Sequence, residues 1–223
     1  VIIILGILAI VIAYLSGSIP VGYVVARMYG IDVTASGSGR IGGTNVLRAA
    51  GAPAAGLTVL GDLFKGLLPV YFAKQLLPIA VLLLNNGAGQ DMYINLIVAL
   101  TMPAAVLGHN HSIFLKFKGG VGAGTAIGAL GGGNVPVAVL VGACAIIALA
   151  ISRYASILST TVAVSGVILF VIFAMLGQIP FMYILGSGLV MLIIVNALRP
   201  NYARLRAGTE RRVGQKTENI TRR

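Results

Sequence analysis

Between Lys118 and Arg199 the sequence carries one charged residue, Arg153. A water-soluble fold cannot cover itself with so little polar surface, whereas an uncharged apolar run of about 20 residues is what a bilayer-crossing helix requires. Runs of this kind recur at 1–27, which ends on Arg27, and at 93–108, 135–151, 157–176 and 181–198, and a run at 54–72 is similar but for Asp62 and Lys65. A shorter one, 125–130, reaches Gly131-Gly132-Gly133-Asn134 and is expected to be a fourth, abbreviated span. The pattern predicts an all-α polytopic membrane protein of about seven transmembrane helices with cytoplasmic glycine-rich loops. Composition agrees: 9% of the 223 residues are charged and 58% hydrophobic, against roughly 25% charged in a soluble domain. One integral membrane domain is expected over 1–198, followed by a basic tail, 199–223, whose first residues complete the site.

The connections are short. Gly17-Ser18-Ile19-Pro20 is expected to kink the first span. Residues 74–91 read as an outer connection with an amphipathic or re-entrant piece at 76–84, closed by Asn85-Asn86-Gly87. The sequence does not begin with methionine, so a short N-terminal piece is expected ahead of Val1. A signal peptide is disfavoured, because no basic segment precedes an apolar run longer than an h-region. The one cysteine, Cys144, lies in an apolar run and supports no disulfide scaffold.

The net charge of +11 would suit nucleic acid, but it follows the membrane instead. Of the sixteen lysines and arginines, all but Lys65 and Lys74 fall on alternate connections and in the tail. That side is expected to face the cytoplasm, with the N-terminus outward. No nucleic-acid partner is expected; membrane lipids are.

Two loops on the basic side carry the chemistry. The first, Ser36-Gly37-Ser38-Gly39-Arg40-Ile41-Gly42-Gly43-Thr44-Asn45-Val46-Leu47-Arg48, combines glycines with hydroxyl, amide and guanidinium groups. Glycine lets backbone N–H groups approach an anion, and the side chains add donors and charge. The second runs from Lys116 through Lys118, Gly119, Gly120 and Gly122 to Thr125. Gly37, Gly39 and Gly42 match a dinucleotide fingerprint, but the upstream segment is a membrane span rather than a strand. Gly119 to Thr125 lacks the lysine of a P-loop. His109, Asn201 and Arg204 stand at the same membrane face. Asp62 and Lys65, one turn apart inside a span, read as a self-neutralising pair. His109 reads as a hydrogen-bonding brace, since His111 does not supply helical metal spacing; no metal or cofactor is expected. Without paired carboxylates or a Ser/His/Asp set, the chemistry that remains is transfer of a group off a phosphate-bearing donor. A lipid tail would lie among the spans.

These residues resemble a known family, the bacterial acyl-phosphate:glycerol-3-phosphate acyltransferases (PlsY), over nearly the whole chain. Ala13 to Tyr23 resembles the family's opening, and Gly37 to Arg48 its first signature, GSGNIGATNVxR. Asp62-Leu63-Phe64-Lys65-Gly66, Leu107-Gly108-His109, Phe117-Lys118-Gly119-Gly120 and Arg153-Tyr154-Ala155-Ser156 correspond as well. Arg199-Pro200-Asn201-Tyr202-Ala203-Arg204 resembles the third loop, HRxNIxR. The resemblance implies a seven-span enzyme of the bacterial cytoplasmic membrane, expected to be monomeric, that acylates the 1-hydroxyl of glycerol-3-phosphate from acyl phosphate. The products would be lysophosphatidic acid and phosphate. It implies catalytic roles for Ser38, Arg48 and Asn201. Substrate contacts are expected from Gly37, Gly39, Arg40, Gly42, Thr44, Asn45, His109, Lys116, Lys118, Gly119, Gly120, Gly122 and Arg204. Three positions depart from the pattern: Val121 replaces the lysine of GGKG, Leu198 the histidine of the third loop, and Arg40 the asparagine of GSGN. Compensation by Arg40, Lys116 or Lys118 is one expectation. A diverged acceptor or loss of turnover is the other, and a small anion transporter is a more distant one.

Overall fold

The computed structural model describes residues 1–85 and 90–215. The Asn86-Gly87 part of the expected turn and the tail beyond residue 215 lie outside the described residues. The chain is a bundle of helices: α1 (Ile2–Ser18), α2 (Val21–Met28), α3 (Gly43–Asn85), α4 (Asp91–Asn110), α5 (Ala123–Gly133), α6 (Val135–Ser152), α7 (Ala155–Met175), α8 (Met182–Ala197) and α9 (Arg199–Arg206). Among the described residues five helical stretches are long and apolar enough to cross a membrane. They are six if the bent pair α8 and α9, which turns by 54°, counts as one span. Large apolar side chains ring the outside, Ile3 being 74% exposed, as befits a surface facing lipid.

The expected kink in the first span is a break between α1 and α2 at Ile19-Pro20. A break inside a membrane frees carbonyl groups that need donors. Ser112 Oγ donates to Ser18 O at 2.5 Å and Lys65 Nζ to Ile19 O at 2.8 Å. The break is thereby tied to two other elements.

One expectation is corrected here and another is sharpened. Residues 74–85 are no separate outer piece: α3 continues through Pro69 and Pro78 to Asn85, with Leu77 and Val81 buried in the core. Lys74, expected to open that connection, donates Nζ to Gly133 O at 2.8 Å, and its charge is accommodated at the foot of α5. The helix instead breaks at Gly51, whose φ of 84° ends a short first segment just before Ala52-Pro53. Second, α5 has 11 residues, too few at 1.5 Å per residue to cross about 30 Å of hydrocarbon as a helix alone. It is sunk in the bundle, with Thr125, Ala126 and everything from Gly128 to Gly133 buried.

Glycine lets α5 sit there. A Cβ on Gly128 would collide with the backbone carbonyl of Leu63 on α3, and one on Gly66 with that of Thr125 on α5. Without a hydrophobic drive between helices in lipid, close backbone approach is the main source of packing attraction. It also sets the first turn of α5 beside Asp62.

Candidate active site

The first glycine loop is held from within. Asp32 Oδ1 accepts from Thr34 N at 2.9 Å, and Oδ2 pairs with Arg27 at 2.6 Å. Hydrogen bonds from Thr34, ahead of the Arg27 charge, lower the Asp32 pKa below its usual value. Asn45, almost fully buried, donates Nδ2 toward Val33 O, Ser36 O and Arg40 O at 2.8–3.1 Å and accepts from Ser38 N at 3.1 Å. Its polar atoms are engaged by the loop, so Asn45 shapes the site rather than offering free donors. Gly37 and Gly39 have φ of 58° and 68°, and a Cβ on Gly37 would strike Asn45 Oδ1. They form the turn.

Below this loop lies a cavity of about 410 Å³, within the range of small-molecule sites. Ser38, Arg40, Gly42, Thr44, Asn45 and Arg48 line it from the first loop and α3. His109, Gly122, Asn201 and Arg204 line it from the other elements. The first turns of three helices converge on it: Gly43 and Thr44 of α3, Ala123 and Gly124 of α5, Ala155 and Ser156 of α7. Each helix N-terminus presents unpaired N–H groups and roughly half a positive charge. The guanidiniums of Arg40, Arg48, Arg204 and Arg211 add full charges. The other end is apolar, walled by Leu63, Ile127, Gly142, Ala145 and Leu158.

Arg40 spans the gap between the first loop and the end of α8. Its Nη1 donates to Asn201 Oδ1 and its Nη2 to Ala197 O, both at 2.9 Å. Burial, then the neighbouring Arg204, lowers its pKa from the usual guanidinium value. Arg48 Nη2 reaches the carbonyls of Arg211 and Arg212 at 3.3 Å, while its buried Nε has no partner among the described residues. Ser156 Oγ, also buried at the cavity wall, is likewise without a partner there.

The second glycine loop is placed differently from expectation. Lys116 and Lys118 are outside the cavity lining, Lys118 being exposed. Gly119 and Gly120 are also off the lining; a Cβ on either would collide with His109, at its carbonyl and its Nε2 respectively. Gly120 N donates to His109 O at 3.2 Å, so this loop packs the histidine rather than leaving its amide for an anion. The cavity begins one residue later, at Val121 and Gly122. His109 Nδ1 lies 3.5 Å from Asp62 Oδ1, and Lys65 Nζ 2.8 Å from the same oxygen. The expected pair is thus a buried cluster of three. Among the described residues no three His, Cys, Asp or Glu side chains gather as a metal site. Ser156, Ser159, Glu210 and Arg211 line the cavity without having been singled out by spacing.

Fold and cavity together define an integral membrane protein whose site is cationic and amide-rich at one end and apolar at the other. The chain belongs to the glycerol-3-phosphate acyltransferase family, whose family model matches residues 7–208. It is 38% identical over 209 residues to glycerol-3-phosphate acyltransferase of Thermus thermophilus, covering 94% of this chain and 96% of that one. Identity to the enzyme of the same name from Geobacter sulfurreducens is 41% over 204 residues, covering 90% and 94%. The fold is similar to the crystal structure of PlsY (YgiH), an integral membrane glycerol 3-phosphate acyltransferase, in its glycerol 3-phosphate form. That match has a TM-score of 0.77 at 30% identity and covers 94% of this chain and 96% of that one. The lysophosphatidic acid form matches with a TM-score of 0.75, covering 93% and 94%.

Proposed function

We propose that this chain transfers a fatty acyl group from acyl phosphate to the 1-hydroxyl of glycerol-3-phosphate, giving lysophosphatidic acid and phosphate. The observation that carries the reading is a single cavity joining three helix N-termini and four guanidiniums to an apolar annex. An amphiphile with a phosphate head and a hydrocarbon tail matches both ends. The acceptor hydroxyl oxygen attacks the acyl carbonyl carbon, the C–O bond to phosphate breaks, and the proton passes to the departing phosphate. Glu210 is engaged by Asn201 and Arg204, and Asp62 by Lys65, so the substrate's own phosphate is the simplest proton acceptor. Arg48 clamps phosphate with its guanidinium, Ser38 orients it from the loop, and Asn201 holds the acceptor. Charge stabilisation by fixed donors supplies the catalysis.

In this reading the membrane is crossed seven times, α5 with its flanking glycines making the fourth passage. The loops, the cavity mouth and the tail face the cytoplasm, on the bacterial cytoplasmic membrane, and the protein acts as a monomer. Val121 and Leu198 at the cavity wall favour a second reading, a family member with another phosphorylated acceptor. Of the three cations expected to compensate, Arg40 lines the cavity, whereas Lys116 and Lys118 do not. Purified protein in detergent is expected to release phosphate from palmitoyl phosphate only when glycerol-3-phosphate is present. Turnover by Val121→Lys alone would instead establish the second reading. Phosphate flux in sealed vesicles without acceptor-dependent release would point to transport.

The annex also makes a specificity prediction. An ideal Cβ on Gly142 meets nothing within 4 Å, so Gly142→Leu fits α6 but fills the annex. The ratio of kcat/KM for palmitoyl phosphate over octanoyl phosphate is expected to fall about tenfold. An unchanged ratio would place the acyl chain elsewhere.

A further inference from the structure

The tail does more than anchor. α9 ends at a left-handed Gly208 (φ 68°), whose N–H returns to Leu205 O at 3.1 Å, and Thr209 N returns to Arg204 O at 2.9 Å. The chain then lies as a strap, 207–215, across the cavity mouth. Val213 N donates to Arg153 O at 2.7 Å, and Arg211 Nη2 to Gly37 O at 3.3 Å. This strap carries Glu210 inward until its side chain is only 8% exposed. One carboxylate oxygen accepts from Asn201 Nδ2 and the other from Arg204 Nε, each at 2.7 Å.

We propose that Glu210 is a positioning residue of the acceptor side of the site, fixing which way the Asn201 amide and the Arg204 guanidinium face. The inference rests on the acyltransferase reading above. Asn201 lies between Arg40, which can only donate, and Glu210, which as a carboxylate can only accept. That leaves one orientation. Turning the amide over would set its oxygen against the carboxylate and its NH₂ against the guanidinium. With one N–H of Asn201 tied to Glu210 and Oδ1 receiving Arg40, the second N–H and a lone pair remain for a polyol phosphate. Holding Arg204 by Nε leaves its terminal nitrogens for the phosphate. Among the described residues Glu210 is also the one carboxylate set among the four guanidiniums at the mouth, relieving repulsion between Arg40 and Arg204.

Glu210→Gln tests this directly, because its NH₂ faces that of Asn201 and inverts the preferred amide orientation. In full-length protein the KM for glycerol-3-phosphate is expected to rise at least about tenfold. The KM for palmitoyl phosphate should change less than about threefold, with partial rescue in Glu210→Asp. A merely structural loss would move both constants and the unfolding temperature together. An unchanged or lowered KM for glycerol-3-phosphate would overturn the proposal, the lowered value marking the carboxylate as a place-holder that substrate displaces. A second readout needs no turnover: thermal stabilisation by inorganic phosphate, strong in wild type and weakened in Glu210→Gln. If wild type makes no lysophosphatidic acid but the phosphate effect still depends on Glu210, the acyltransferase reading fails and the positioning role stands. Equal stabilisation of both proteins would overturn the role.

Discussion

Arg48→Ala is expected to lower kcat/KM for acyl transfer by about 10³-fold, the upper range for loss of one fixed donor to a developing oxyanion. A guanidinium has five N–H donors, and in this protein few are committed. Nη2 makes two long hydrogen bonds of 3.3 Å to strap carbonyls, and Nε is buried at the cavity wall without a partner among the described residues. A donor held dry and unpaired is stabilised once an anion arrives, so its contribution falls on the substrate complex rather than on the free fold. The two hydrogen bonds to the strap are weak, and the unfolding temperature of Arg48→Ala should fall only slightly. Arg48→Lys keeps the charge without the fork and should recover part of the rate. Steady-state phosphate release, separated into kcat and KM, is the measurement. Activity of Arg48→Ala within about threefold of wild type would reduce Arg48 to an anchor for the strap.

Apolar runs bounded by basic loops were legible because period and charge are local properties. The same locality explains what was not. Lys74 looks like the start of an outer connection, and only the carbonyl of Gly133 on another helix makes a lysine tolerable there. The two glycine loops look alike in sequence but do opposite things. Gly37 and Gly39 bend a loop over a cavity, while Gly119 and Gly120 yield space to His109. Glu210 is one of two acidic residues in a basic tail, which was a signal, but its partners Asn201 and Arg204 are reached only after the chain turns at Gly208. Arg40, by contrast, was visible as a departure from the family's signature, and its reach to Asn201 links that departure to the site.

The buried cluster behind the site carries the second large effect, on stability. Asp62, Lys65 and His109 are 4%, 5% and 2% exposed, at a depth where an unpaired charge is expensive. Lys65 neutralises Asp62 at 2.8 Å and at the same time caps the carbonyl of Ile19 at the break in the first span. Lys65→Met removes both services while leaving the aliphatic bulk. It should destabilise the protein by about 3–5 kcal/mol, the range for breaking a buried pair from one side, or roughly 10 °C in unfolding temperature for a chain of this size. Asp62→Asn with Lys65→Met should recover most of that loss, since a buried carboxylate is no longer left with His109 as its one neighbour in the cluster, leaving mainly the uncapped Ile19 carbonyl. Thermal unfolding of the single and double variants in one detergent closes the cycle. If the double variant is as unstable as Lys65→Met, the carbonyl cap rather than the ion pair holds the first span against α3.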